Sequence, residues 1–285
     1  MTNPNTILEK LTACIKSTAS ALVALSGGID SILLSYLAHR TLGRGALSCT
    51  VVSEFFITEE GRYIDQFVEK YQISHSYLEV RIIEDERIVS NPSNLCYHCK
   101  KIMFETLLKK AREDRFAAVL DGTNLDDLGD HRPGIRALRE LGIVSPFAET
   151  GVGKKEILRC ARSLGLDHFI RPSNTCLATR IAPSVRISEK ALAMVEKAES
   201  HLHHLGFSVV RVRYHEGGTA RIEVAPEELP RLLDASLHAG VIRHFREIGF
   251  SRVAVDMEGY RKNEGLLSRS PSGIIEPGLD QYASS

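Results

Sequence analysis

Three groups of residues in this chain combine types and spacings that could do chemistry. The first is Ser26-Gly27-Gly28-Ile29-Asp30-Ser31, which follows the apolar run Ala21-Leu22-Val23-Ala24-Leu25 and opens an apolar, helix-compatible segment over 29–42. An apolar run too short for an independent helix, then two glycines, then a helix pattern make a buried parallel strand, a tight turn and a helix N-terminus. The glycines let backbone approach a ligand closely, and the free N–H groups of the new helix favour an anion. No Lys-Ser/Thr pair follows the glycines and the spacing is not Gly-x-Gly-x-x-Gly, which sets aside the Walker-type and dinucleotide loops. The second group is Cys96 and Cys99, two residues apart, with Cys176 farther on in Ser173-Asn174-Thr175-Cys176-Leu177-Ala178-Thr179-Arg180. Three thiolates can ligate three irons of a 4Fe-4S cluster and leave the fourth iron open to a labile sulfide. A zinc site that adds His98, or a Cys96–Cys99 disulfide relay, would use the same residues. The third group lies in Val210-Arg211-Val212-Arg213-Tyr214-His215, where strand alternation puts Arg211, Arg213 and His215 on one face. The opposing segment presents Arg221 and Glu223 together. Two arginines roughly 4–7 Å apart would hold a phosphate well, although a solvated outer face shows the same alternation.

Positioning these groups falls to alternating strands and helices. The pattern predicts strands over 21–25, 46–53, 74–80 and 117–120, and helices over 6–20, 29–42, 58–71, 96–112 and 153–166, with 84–94 a loop or lid. Such alternation argues for right-handed crossovers and a parallel sheet covered on both faces. Ligands collect at the carboxyl ends of strands in such sheets, so Ser53, Phe55, Asp121 and Gly122 are candidate nucleotide contacts. Beyond a Pro-punctuated stretch the pattern changes to a helix over 188–205, strands over 208–215 and 219–224, a helix over 235–248 and a strand over 252–257. The fold class expected is therefore α/β with a smaller C-terminal α+β domain, ferredoxin-like in arrangement. The expected division is 1–170, a linker 171–186 carrying Cys176, a small domain 187–265 and a disordered tail 266–285 rich in Ser, Pro and Gly.

A chain of 285 residues with 43% hydrophobic residues is long enough for two cores. Lys and Arg total 36, as do Asp and Glu, so no global field favours nucleic acid. No apolar run approaches the ~18–20 residues of a membrane span, and the N-terminal residues lack the order of a signal peptide. A cytoplasmic location is expected, in which the six cysteines stay reduced. Cys14, Cys49 and Cys160 lie on apolar faces and read as core residues.

The Ser26–Ser31 pattern resembles the pyrophosphate loop of the ATP pyrophosphatase (PP-loop) superfamily, whose members cleave ATP to AMP and pyrophosphate. Further elements narrow the likeness over residues 5–265: Ser53-Glu-Phe-Phe, Val119-Leu-Asp-Gly-Thr-Asn124, Arg132-Pro-Gly, Cys176-Leu-Ala-Thr-Arg180, Leu205-Gly-Phe followed by Val210-Arg-Val-Arg-Tyr-His215, and Ala220-Arg-Ile-Glu223. Together they resemble the LarE family, ATP-dependent sulfur transferases of nickel-pincer nucleotide biosynthesis. The resemblance implies ATP with Mg²⁺, a pyridinium-3,5-dicarboxylate mononucleotide substrate converted to thiocarboxylate, a nickel-insertion enzyme as recipient, and homo-oligomers, often hexamers. One form of the family sacrifices a single cysteine at the Cys176 position. The other adds a Cys-x-x-Cys and carries a 4Fe-4S cluster, and this chain, with Cys96 and Cys99, is similar to the cluster form. On that footing Ser26, Gly27, Gly28 and Ser31 hold the phosphates and Asp30 places Mg²⁺ or orients the loop. Thr179, Arg180, Arg211 and Arg213 face the substrate, and Glu199 and Glu223 are candidates for metal or proton handling. A tRNA 2-thiolation enzyme of the same superfamily, and a non-catalytic nucleotide sensor with structural zinc, are the alternative readings.

Overall fold

The computed structural model describes residues 3–129, 133–171 and 176–261. Arg132, Ser173–Thr175 and the tail expected over 266–285 lie outside the described residues. The chain runs α1 (Pro4–Lys16), β1 (Ala21–Ala24), α2 (Ile29–Leu42), β2 (Ala46–Val52), α3 (Thr58–Tyr71), β3 (His75–Glu79), α4 (Glu86–Val89), α5 (Leu95–Glu113) and β4 (Ala118–Leu120). It continues through α6 (Leu125–Leu128), α7 (Pro133–Glu140), α8 (Pro146–Glu149), α9 (Lys154–Ser163), α10 (Glu189–His204), β5 (Val210–His215), β6 (Thr219–Val224), α11 (Leu229–Leu232), α12 (Ala235–Ile248) and β7 (Arg252–Val255). The helices predicted over 29–42, 58–71 and 235–248 and the strand over 219–224 have the predicted bounds. Helices α6, α7 and α8, short and bounded by Gly or Pro, carry too few turns to register as periodicity. A single turn, α4, sits in the stretch read as a loop or lid.

The first sheet is parallel, in the order β3-β2-β1-β4. Strand β1 alternates between two cores. Ala21 and Val23 join the side of α1, α2, α3 and α9, while Leu22 packs with Cys49, Val51, Leu107 and Val119 on the side of α5. Burial on both faces explains why β1 reads as an unbroken apolar run. From β1 the chain moves outward to β2 and β3, then returns to β4 on the other side of β1, so the strand order reverses at the β1/β4 boundary. The crevice at the carboxyl ends of β1 and β4 is where such sheets bind ligands. The loops carrying Gly27 and Gly122 both open there.

The second sheet has three strands, β5-β6-β7, with β5–β6 antiparallel and β6–β7 parallel. A ferredoxin-like sheet splits its β-α-β units by interleaving their strands; here a single bridge, Ile181 to Tyr214, lies parallel on β5 ahead of α10 and β5, β6 and β7 follow in chain order, so the arrangement is a smaller mixed α+β unit. Its core recruits Phe55, Ile82, Ile88 and Leu95 from the first half of the chain beside Leu177, Val195, Val212 and Phe245. The two halves therefore share one apolar interior around the segment that carries Cys176.

Candidate functional site

At the glycine loop, Ser31 ties the turn shut. Its Oγ accepts from the Ser26 N–H at 3.1 Å and donates to the Gly28 carbonyl at 2.9 Å. Gly28 stands at the N-cap of α2 with no side-chain cap, so the first-turn N–H groups have no intrahelical partner and face the crevice. Gly27 has φ +84°, and a Cβ there would stand 2.9 Å from Glu60 Oε2. Gly122 is needed for close approach instead, since a Cβ on it would meet the Ser31 nitrogen at 3.0 Å. Glycine at 122 lets the loops after β1 and β4 nest together, while glycine at 27 supplies the positive φ of the turn. Asp121 beside it is buried, and its carboxylate accepts from Thr123 and Ser145 at 2.5 Å each, which braces the β4 loop.

Asp30 does not stand alone. Lys154 Nζ reaches its two oxygens at 2.7 and 2.8 Å, across 124 positions of sequence. Burial pushes the Asp30 carboxyl above its usual range; Lys154 opposes that shift, and the charges of Asp127 and Asp126 add to it. Lys154 is the first residue of α9, and its backbone N–H is capped by Asp126 at 2.7 Å. Sequence reasoning missed Lys154, yet a trace was present: two lysines, 154 and 155, open a helix at the end where the dipole disfavours cations. From the end of β2, the Phe55 N–H donates to Ser53 Oγ at 3.3 Å, and the Phe55 carbonyl accepts from the Leu177 N–H at 3.1 Å. Ser53 and Phe55 thus join the carboxyl end of β2 to the Cys176 segment.

All six cysteines are free thiols. Cys96 and Cys99 open α5 and pack against the core that contains Leu177 and Ala178. Burial pushes the Cys99 thiol far up, and the charges of Cys176 and Cys96 push it further, so the three sulfurs share one neighbourhood. The Cys99 thiol donates to Met103 Sδ at 3.6 Å, and Cys176 is exposed. As a donor set these are soft thiols, one of them screened from water, which suits iron–sulfur chemistry. Among the described residues, no three His, Cys, Asp or Glu side chains are arranged to hold a metal ion. His98, which the zinc alternative would recruit, pairs with Asn94 at 3.1 Å. Cys49 and Cys160 are buried as expected of core residues, whereas Cys14 is only half-buried and donates to Glu149 at 3.7 Å.

The arginine cluster is an interior network. Arg180 is completely buried and bonds Glu199 through Nε and Nη2 at 3.0 and 3.1 Å. Its Nη1 donates to the Cys176 carbonyl at 3.3 Å and to Thr179 Oγ1 at 3.2 Å. Glu199 also accepts the Val212 N–H at 2.9 Å, so one carboxylate joins α10, β5 and the Cys176 segment. Glu199 is buried rather than the solvated helix charge its residue type suggests. Arg213 forms a two-bond pair with Glu223 at 2.9 Å and donates to the Thr179 carbonyl at 2.9 Å. Arg211 is 8% exposed, lies 5.1 Å over the Tyr260 ring and donates to the Val210 carbonyl. That burial rules out a solvated outer face for this strand. Burial first, and then the neighbouring charge of Arg180, lower the Arg211 pKa. Three buried or nearly buried guanidiniums, Arg180, Arg211 and Arg213, stand against two buried carboxylates, Glu199 and Glu223. The exposed part of the network, Arg221 with Asp256, cancels itself.

A parallel sheet whose first strand passes through Ser-Gly-Gly-x-Asp-Ser into a helix, with that loop at the strand-order reversal, defines an α/β protein of the PP-loop class. No family profile matches the chain. An uncharacterized protein of Synechocystis is 35% identical over 92% of this chain and 97% of its own length. An uncharacterized protein of Methanocaldococcus jannaschii is 35% identical over 84% and 90%. The pyridinium-3,5-bisthiocarboxylic acid mononucleotide synthase of Lactiplantibacillus plantarum is 31% identical over 88% of this chain and 90% of that enzyme. The chain belongs to the family of that synthase, the LarE family. None of the helices described is long and apolar enough to cross a membrane.

Proposed function

We propose that this protein is an ATP-dependent, AMP-forming sulfur transferase that converts a carboxylate of pyridinium-3,5-dicarboxylate mononucleotide to a thiocarboxylate, for nickel-pincer nucleotide synthesis. The observation that carries the reading is the placement of Cys176. Its segment is tied to the carboxyl end of β2 through Phe55 and Leu177, and to the arginine cluster through Arg180 and Arg213. Backbone N–H groups of Gly27 to Ser31 take the β- and γ-phosphates. Lys154 and the N-terminus of α2 offset the charge of the pyrophosphate as it leaves, the electrostatic work that dominates such steps. Asp30 offers hard oxygen donors of the kind that suits the Mg²⁺ accompanying ATP. Arg211 and Arg213 hold the phosphate of the mononucleotide, which orients its carboxylate toward the α-phosphorus. Attack there expels pyrophosphate and leaves an acyl-adenylate; sulfur then displaces AMP from the carbonyl. A 4Fe-4S cluster on Cys96, Cys99 and Cys176 would supply labile sulfide. By family resemblance the product passes to a nickel-insertion enzyme, and the chain assembles in the cytoplasm as a homo-oligomer, up to a hexamer.

Incubation with ATP and the dicarboxylate mononucleotide should release AMP and pyrophosphate, with none released when tRNA replaces the substrate. Release only with tRNA, or none with either, would overturn the reading. Cys96→Ala, Cys99→Ala and Cys176→Ala should fail alike, with iron and acid-labile sulfide lost from each. Dehydroalanine at position 176 after turnover, with Cys96 and Cys99 dispensable, would replace the cluster by a sacrificial cysteine.

A further inference from the structure

Cys176 is exposed, yet the main chain that carries it is held on both sides. After it, the Leu177 N–H donates to the Phe55 carbonyl at 3.1 Å. Its own carbonyl accepts from Thr179 Oγ1 at 2.8 Å, from the Thr179 N–H at 3.1 Å and from Arg180 Nη1 at 3.3 Å. The two Thr179 bonds belong to the tight turn Leu177–Arg180, and a turn at the surface could make them unaided. The Arg180 bond is of another kind, because this guanidinium is wholly buried. Taking a guanidinium out of water is costly. Here it ties the backbone of an exposed cysteine into the core.

Glu199 carries the tie further. Its Oε1 accepts Arg180 Nε at 3.0 Å and the Val212 N–H at 2.9 Å. Val212 stands between Arg211 and Arg213 on β5, the residues assigned above to the phosphate of the mononucleotide. A second link runs from Arg213 Nη1 to the Thr179 carbonyl at 2.9 Å. Two links through different atoms fix both the distance and the direction between the Cys176 turn and β5. An acyl-adenylate is open to water, so the sulfur that intercepts it must already be in place, and well-placed reactants are worth orders of magnitude in rate. We propose that Arg180 and Glu199 are positioning residues, which set Cys176 against the strand that holds the substrate and do not touch the substrate themselves. The proposal rests on the sulfur-transfer reading. It gives the pair a different part from the substrate contact and the metal or proton handling that the resemblance implies.

The test separates the two half-reactions. Adenylation is read as single-turnover pyrophosphate release with ATP and the dicarboxylate mononucleotide, sulfur transfer as thiocarboxylate by mass spectrometry, and affinity for each nucleotide by calorimetry. Arg180→Lys keeps a buried charge opposite Glu199 but loses the fork that also reaches the Cys176 carbonyl. It should leave both affinities and pyrophosphate release at the wild-type level and lower thiocarboxylate by about tenfold to a hundredfold, the cost of misplacing a reacting group by about an ångström. The acyl-adenylate then goes to water, which returns the carboxylate and AMP. Because Arg180→Lys disturbs a buried pair, Thr179→Val repeats the test at a partly exposed residue. It removes the Oγ1 bond to the Cys176 carbonyl and should lower thiocarboxylate relative to pyrophosphate in the same way, with Thr179→Ser restoring the wild-type ratio. Weaker mononucleotide affinity in Arg180→Lys would make Arg180 a substrate ligand and overturn the proposal. So would a wild-type thiocarboxylate yield in both Arg180→Lys and Thr179→Val, or pyrophosphate and thiocarboxylate falling together in Arg180→Lys, the result for a purely structural pair. If the wild-type protein releases no pyrophosphate with the mononucleotide, the sulfur-transfer reading itself falls and takes this proposal with it.

Discussion

The glycine loop and the arginine cluster handle charge in opposite ways. The loop offers backbone N–H groups from consecutive residues, and its ion pair Asp30–Lys154 is partly open to water, 25% and 42% exposed. The cluster draws on Arg180, Glu199, Arg211, Arg213 and Glu223, from separate elements, with Arg180 sealed from solvent and Glu199 10% exposed. A site made of backbone can lose a side chain and keep its shape. A site made of buried ion pairs is also part of the core, so removing one partner strands the other in a low-dielectric interior. Catalysis and folding should therefore separate at the loop and remain joined at the cluster.

The sharpest break in that comparison is Glu199→Ala. It should cost about 3–5 kcal/mol of stability in urea unfolding, because the buried Arg180 loses the carboxylate that its Nε and Nη2 bond. A loss below ~1 kcal/mol would show the cluster to be as tolerant as a surface pair. Asp30→Ala should abolish substrate-dependent pyrophosphate release while changing stability by no more than about 1 kcal/mol, the scale of a solvent-accessible pair; ADP and orthophosphate as products would contradict a PP-loop site. Within the cluster, Arg211→Ala and Arg213→Ala should each weaken mononucleotide binding by about 1.5–3 kcal/mol, leaving ATP affinity unchanged. Arg213→Ala should lower the melting temperature more, since Glu223 and the Thr179 carbonyl both lose a donor. Equal melting temperatures would remove the distinction between them.

The smallest effect concerns acid. His39 on α2 and His75 on β3 are held below the ordinary imidazole value of 6.5, chiefly by burial. The unfolded chain then binds protons that the folded chain resists. Their contribution is complete above 6.5 and is lost as pH falls from there toward the folded values. The melting temperature should drop between pH 7.5 and about 5.5, and His75→Gln should flatten the drop. An unchanged slope in that variant would remove His75 from the account.

Much of the first sheet was legible because its signals are local: the apolar run of β1, the glycines after it, the apolar segment of α2 and the periodic face of α3. The small sheet was legible as strands but not as an arrangement, since alternation says nothing about which strand pairs with which. Glu199 shows how a readable sign can be passed over. It lies on the apolar stripe of Val195, Ala198 and Leu202, so the 3.6-residue period already placed a carboxylate in the core. Residue type alone would place a helix glutamate in solvent.

The sequence by itself determined the anion cradle, because a strand, two glycines and a helix start are contiguous and their backbone geometry follows from residue type. It also determined which cysteines and arginines are available. Only the tertiary structure decided that Lys154 meets Asp30, that Arg180 and Glu199 tie the Cys176 turn to β5, and that Arg211 and Arg213 face inward. Those pairings depend on where distant elements pack and on which water they exclude. Neither the sign nor the spacing of a charge along the chain carries that information.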